Sequence, residues 1–234
     1  MSPSTAILFD FDGTLATNSG RWSRVLLGLA REVEPSFPAT VEEVRAELQG
    51  GFPWHSPEVA HPGLSPSDWW EIMTGHLRRA LVTLGLAPSP ASEASARFRS
   101  RYLDPADWRV YPDVFPALDG LRAAGHRLAI LSNHVPELPD LVAALGFDGF
   151  FEAVFTSGRT GHEKPNPEAF ALALRELGRP AQAWMVGDNV VADVLGAEAA
   201  GIPGILVRGE DPRAPRRCAD LRGLPELLRS GAGR

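Results

Sequence analysis

The chain has 234 residues, 44% of them hydrophobic and 22% charged, which suits one large domain or a core with a smaller inserted one and argues against global disorder. A formal net charge of -6 gives no general attraction to nucleic acid polymers or anionic membranes, although a local cation can still hold a small anion. Cys218 is the single cysteine, so the sequence offers no internal disulfide and no thiolate cluster for a metal. The N-terminal stretch lacks the basic region of a signal peptide, and no segment reaches the ~18 uninterrupted apolar residues of a membrane span. The expectation is a cytoplasmic protein, monomer or homodimer, away from membranes.

Ala6–Phe9 is a short apolar run that ends in acids and glycine, the pattern of a buried strand opening into a loop. From Leu15 to about Ala106 no strand pattern is evident. Helical windows are predicted there instead, over Arg21–Glu32, Val41–Leu48 (with Thr40 and Glu43 as a capping box), Ser67–Leu84 and Pro90–Tyr102. Beyond it, helical patterns at Val114–Ala124 and Pro167–Leu177 alternate with strand patterns at Arg127–Leu131, Ala153–Phe155, Ala183–Val186 and Gly204–Val207. The alternation predicts an α/β fold, a Rossmann-like and mostly parallel sheet covered on both faces. The helical stretch interrupts that alternation, so residues 16–106 read as an inserted helical cap and residues 1–15 with 107–234 as the core.

Four strand ends carry residues able to do chemistry. In Asp10-Phe11-Asp12-Gly13-Thr14, residues two apart in extended chain share a side, so Asp10 and Asp12 can face one pocket. Two close carboxylates repel unless a cation, a proton or donors offset them. They are either a nucleophile and a proton-transfer group gathered at a metal, or a polar strand-end turn. Thr14 adds a hydroxyl. Ser132 and Asn133 follow the next apolar strand and can meet phosphate oxygens, or form an ordinary turn. Lys164 precedes Pro165, which biases it toward extended geometry, while Pro167 suits the first position of a helix. Asp188 and Asp193, in Gly187–Asp193, bring further acids to a strand-to-helix transition and suit a hard, oxygen-seeking ion such as magnesium. All lie at the carboxyl ends of successive strands or in the loops just after them, the edge where open α/β sheets bind ligands.

Together, DFDGT at Asp10–Thr14, SN at Ser132–Asn133, KPNP at Lys164–Pro167 and GDNVVAD at Gly187–Asp193 closely resemble the haloacid dehalogenase-like hydrolase superfamily, in its first subclass with a helical cap. The resemblance implies magnesium-dependent hydrolysis of a small phosphomonoester through an aspartyl-phosphate. It makes Asp10 the nucleophile, Asp12 the general acid/base, Ser132 and Asn133 the phosphate-binding pair, and Lys164 the cation that steadies nucleophile and phosphate. Magnesium would touch the Asp10 carboxylate, the Asp12 backbone carbonyl and Asp188, with Thr14 and Asp193 in support. The implied partner is a small phosphorylated metabolite. The helical segment carries no specific motif; Asn18, Arg21, Trp22, Trp54 and His55 are its candidate specificity residues, and Trp22 also suits core packing. The alternatives are a phosphomutase of the β-phosphoglucomutase kind, a haloacid dehalogenase, which has no such use for Asp12, and a non-enzymatic interaction protein.

Overall fold

The computed structural model describes residues 5–18 and 21–231, and of residues 21, 230 and 231 the backbone only. Strand β1 (Thr5–Phe9) leads through β2 (Ala16–Asn18) into helices α1 (Arg21–Val33), α2 (Val41–Glu47), α3 (Pro66–Thr83), α4 (Pro88–Ala96) and α5 (Phe98–Tyr102). The chain returns through β3 (Trp108–Val110) and α6 (Val114–Ala123) to β4 (Arg127–Ser132), α7 (Leu138–Ala144) and β5 (Ala153–Thr156). Helices α8 (Ser157–Thr160) and α9 (Pro167–Glu176) precede β6 (Gln182–Gly187), which is followed by a π-helical turn, Val190–Leu195. The rest comprises α10 (Gly196–Ala199), β7 (Gly204–Val207), β8 (Arg217–Cys218) and α11 (Leu224–Gly231).

Six strands make one parallel sheet in the order β5-β4-β1-β6-β7-β8. Alternation along β1 divides its side chains between the two faces. Ile7 and Phe9 join the larger apolar cluster, which continues into the inserted helices, while Ala6 and Leu8 pack with Met185 and Phe170 on the other side. From β1 the chain passes to β4 on one side and later returns to β6 on the other. The crevice beyond the carboxyl ends of β1 and β6 is therefore a topological switch point.

The five predicted strands and the helical insertion are present. Two expectations need correction. The stretch read as free of strands opens with β2, which pairs antiparallel with β3 through Ala16–Val110, Thr17–Arg109 and Asn18–Trp108. Three residues with two polar side chains are too short to show alternation, and the pair forms because it joins the two chain crossings into the helices. The single helix expected over Pro90–Tyr102 breaks at Arg97 into α4 and α5. The bend turns Phe98 and Tyr102 onto Trp22, with ring centroids 4.8 and 4.9 Å away. The predicted capping box holds: Thr40 Oγ1 accepts from Glu43 N, and Thr40 N donates to Glu43 Oε2 at 2.8 Å.

The helical layer is docked on the rim by specific polar contacts. His61 N donates to Gly161 O at 2.8 Å, and Asn166 Nδ2 donates to Pro57 O at 2.9 Å. Glu137, at the start of α7, accepts from Trp70 Nε1 at 2.8 Å through one carboxylate oxygen and from Arg99 Nη2 at 2.6 Å through the other. Trp70 is buried, so loss of its acceptor strands an indole N–H away from water. Glu137→Ala should cost about 1–3 kcal/mol of stability, and Glu137→Gln, which keeps an acceptor, less than half as much. Equal losses for the two variants in urea unfolding would rule out this account of the docking.

Candidate active site

Strand register gathers the predicted residues at one edge. Phe9 stands opposite Ile130 of β4 and Val186 of β6, so the residues just past these positions leave the sheet together. Asp10 N donates to Val186 O at 2.9 Å, which extends the pairing one residue beyond β1 and fixes where the carboxylate starts. A tight turn follows, with Leu15 N bonded to Phe11 O at 2.9 Å and Gly13 N to Ala16 O at 2.8 Å. Glycine is required in it: Gly13 has φ +90°, and a Cβ there would lie 2.2 Å from Asp188 Oδ2. Gly187 makes the matching concession, since its Cβ would fall 2.0 Å from Asp193 Oδ2.

The carboxylates are held individually. Thr14 Oγ1 donates to Asp188 Oδ1 at 3.3 Å. Asn189 caps the π-helical turn through its Oδ1, which accepts from Val191 N and Ala192 N at 3.0 Å each, and its own N–H donates to Asp193 Oδ2 at 2.9 Å. Such turns interrupt the regular helical ladder and recur at functional sites. Here the turn folds Asp193 back under the sheet edge.

Lys164 is the hub. Its Nζ lies 2.9 Å from Asp10 Oδ1 and 2.6 Å from Asp193 Oδ1, with only 2% of the side chain exposed. Asn133 grips the lysine backbone from the end of β4: its Nδ2 donates to Lys164 O at 2.8 Å and its Oδ1 accepts from Lys164 N at 2.7 Å. The Asn133 carboxamide, expected to meet phosphate, is thus bonded at both ends to the lysine loop. The Lys164–Pro165 peptide is cis, and Pro167 opens α9 as predicted, with Asn166 as the cap.

Burial pulls the Lys164 ammonium down, but Asp10 and Asp193 more than reverse this, so its pKa is raised and it stays charged. Burial, reinforced by Asp10 and Asp12, pushes Asp188 up to about 6. That repulsion, which Lys164 offsets only in part, is the observation by which a cation fits. Carboxylate oxygens of Asp10, Asp188 and Asp193 lie within 4.8 Å of one another, so the cluster can hold a metal ion. Asp193 is already taken up by Lys164 and the Asn189 N–H, which leaves Asp10 and Asp188 facing the opening. A site built of oxygen alone suits a hard divalent ion.

A cavity of about 480 Å³ opens above these groups, lined by Asp10, Asp12, Lys164 and Asp188 below, with Ser132 and Asn133 to one side. Of the candidates from the helical segment, Trp22 and Trp54 reach it. Trp22 serves both purposes considered for it, since its ring also stacks on Phe98 and Trp70. Asn18 is buried in β2 and does not line the cavity. His55 is exposed outside it, its Nδ1 accepting from Gly50 N at 2.8 Å. The Arg21 side chain falls outside the described residues.

Sequence reasoning missed three contributors. Tyr102 and His134 line the cavity, with Tyr102 Oη 3.4 Å from His134 Nε2; His134 directly follows the Ser-Asn pair, which was the available signal. Arg208, just past β7, donates to Thr14 O at 3.0 Å and to both Asp113 oxygens at 3.0 and 2.8 Å, and so braces the turn that carries Thr14. Nothing local in the sequence joins positions so far apart.

Residues 5–201 match the sequence profile of haloacid dehalogenase-like hydrolases. The chain belongs to this family. It is 34% identical to a phosphoserine phosphatase of Thermus thermophilus over 92% of this chain and 94% of that one. Against a glyceraldehyde 3-phosphate phosphatase of Methanothermobacter thermautotrophicus the identity is 29%, over 94% and 92%. The fold matches the putative hydrolase YfnB of Bacillus subtilis, whose crystal structure is described as bound to magnesium, with a TM-score of 0.75 at 20% identity over 98% of this chain and 100% of that one. The chain is an enzyme of the family's phosphatase kind, which sets aside the non-enzymatic alternative. Among the described residues no helix is long and apolar enough to cross a membrane.

Burial holds His134 down at about 4, whereas an unfolded histidine titrates near 6.5. Between these values the unfolded chain binds a proton that the folded enzyme refuses, so stability falls as pH drops through that window. From pH 7 to pH 5 this histidine should cost about 2 kcal/mol. In His134→Gln the loss over the same interval should shrink by that amount, as measured by urea unfolding at the two pH values. An identical loss in both proteins would assign the acid sensitivity elsewhere.

Proposed function

We propose that this phosphatase hydrolyses a small phosphomonoester in two steps, with Asp10 as nucleophile and a magnesium-dependent site. The observation that carries the reading is the Lys164 ammonium, buried between Asp10 and Asp193 at 2.9 and 2.6 Å. An ammonium so close engages one Asp10 oxygen, Oδ1, and leaves the other to face the cavity. Magnesium would be held by the Asp10 and Asp188 carboxylates and the Asp12 backbone carbonyl, with Thr14 orienting Asp188. Bound there, it would neutralise charge on the phosphoryl oxygens.

In the first step the free Asp10 oxygen attacks phosphorus in line, and the bond to the ester oxygen breaks. Asp12 gives its proton to that departing oxygen, releasing the alcohol. Lys164 offsets part of the charge on the equatorial oxygens, and the Ser132 hydroxyl donates to one of them. In the second step Asp12, now ionised, takes a proton from water as the water oxygen bonds to phosphorus. The Asp10–phosphorus bond breaks, inorganic phosphate leaves and Asp10 is restored. Asn133 acts through Lys164, holding the lysine backbone. We further propose that the helical cap spans residues 16–106, with the β2–β3 pair at its base. Phosphoserine, glyceraldehyde 3-phosphate and similar compact metabolites set the size range of the substrate.

Added magnesium should restore, and chelation abolish, the release of inorganic phosphate from an activated ester. Net phosphate release also separates hydrolysis from mutase action, which would return the group to a sugar phosphate. Asp10→Asn should lower kcat by about 10³-fold or more and eliminate the labelled enzyme seen on rapid quenching with radiolabelled substrate. Label found on any residue other than Asp10 would overturn the mechanism.

A further inference from the structure

The floor and the walls of the cavity have different chemistry. Among the described residues the floor carries the charge: Asp10, Asp12, Asp188 and Asp193, with Lys164 among them. The wall is aromatic. Trp22 and Trp54 meet at 5.7 Å and 63°, Trp22 and Tyr102 at 4.9 Å and 41°, and Tyr102 and His134 at 5.8 Å and 34°. Tyr102 and His134 are 2% and 3% exposed, so this part of the wall is fixed in the packed interior. None of the four rings brings a formal charge, His134 being neutral at working pH. Pro57 and Val135 continue the same apolar lining.

Among the described residues the cations available to a substrate are correspondingly few. Among the described residues that line the cavity, Lys164 is the one cation, and both of its near neighbours are carboxylates. A carboxylate on the leaving group would face the aromatic wall without a partner, and would lose its hydration there. A flat or apolar group loses little on leaving water and gains contact with the rings. At about 480 Å³ the cavity has room for a phosphoryl group and a ring-sized leaving group together.

We infer that the site selects phosphomonoesters whose leaving group is uncharged and presents a flat or apolar face, and that it discriminates against leaving groups bearing a carboxylate. The inference rests on the phosphatase reading above and adds the class of substrate. It separates this enzyme from relatives named for phosphoserine, although the catalytic floor would serve either ester. Trp54, at the mouth, and Trp22, Tyr102 and His134, deeper in, are the residues that set the preference.

The test compares primary alkyl phosphates, so that differences in leaving-group acidity do not dominate. Steady-state kcat/KM is measured on the full chain with saturating magnesium for benzyl phosphate, 2-hydroxyethyl phosphate, phosphoglycolate and phosphocholine. Benzyl phosphate should exceed phosphoglycolate at least about tenfold, mainly through a lower KM, and 2-hydroxyethyl phosphate should also exceed it. Trp54→Ala should collapse the benzyl-to-phosphoglycolate ratio and Trp54→Phe should preserve most of it. A smaller ratio in the parent enzyme, or an unchanged ratio in folded Trp54→Ala, overturns the inference. So does a preference for phosphocholine over benzyl phosphate, which would mean that the rings read a cation. Failure of all four esters, together with an activated aryl phosphate, would instead strike at the phosphatase reading itself.

Discussion

An ammonium group sealed from water is tolerated only where anions replace its hydration, and the site is organised around that demand at Lys164. Removing one partner of a buried ion pair costs about 3–5 kcal/mol, because the survivor is left uncompensated. Lys164 has two such partners, and the second is what makes the first useful. A lysine paired with Asp10 alone would neutralise it fully. Sharing the ammonium with Asp193 leaves Asp10 with residual negative charge while still fixing its direction. Asn133 completes the arrangement from the neighbouring strand by bonding the lysine backbone on both sides. The lysine therefore couples three strand ends that lie far apart in sequence.

Packing around this hub is close enough to dictate backbone chemistry. Two carboxylates occupy space that any side chain at Gly13 or Gly187 would fill. Asp188 is thereby pressed toward the turn that bears Asp12 and Thr14, and Asp193 toward β6. Arg208 ties that same turn to Asp113 and stands 3.8 Å over the Tyr111 ring, so the outer side of the site is braced by a buried ion pair of its own. The floor is ordered because Asp10, Asp188 and Asp193 each have a defined donor, whereas the wall is ordered because its rings are wedged together. These are different kinds of order, and they divide recognition of the phosphoryl group from recognition of what it is attached to.

The strands of the main sheet were legible because full burial leaves a continuous apolar run, as in Ala6–Phe9 and Ala183–Val186. Asp10, Asp12, Asp188 and the Ser-Asn pair were legible because each sits where such a run stops, and Lys164 because of the two prolines that follow it. β2 and β3 were not, since three residues with polar side chains carry no period, and their pairing spans about ninety positions of intervening chain. The break at Arg97 was equally hidden: it answers to the position of Trp22, a tertiary contact that local propensity cannot register. The two functions of the Asn133 side chain, binding phosphate or clasping Lys164, are indistinguishable from residue type alone, and only geometry chooses between them. His55 and Trp54 are adjacent in sequence, yet one faces solvent and the other the cavity, because the short helical turn they share presents successive residues to different sides.

The β2–β3 pair has a consequence for how such a protein can change over time. Asn18 and Trp108 are register partners, so the chain departs for the helical layer and comes back through neighbouring positions. Closing a loop whose ends already touch adds little entropy cost as the loop grows, since each doubling of its length costs only about 0.6 kcal/mol. The helices can then lengthen, shorten or be exchanged wholesale by recombination while the parallel sheet keeps its register. Three of the four wall rings, Trp22, Trp54 and Tyr102, thus sit on a part of the gene that is free to diverge at a different rate from the catalytic floor.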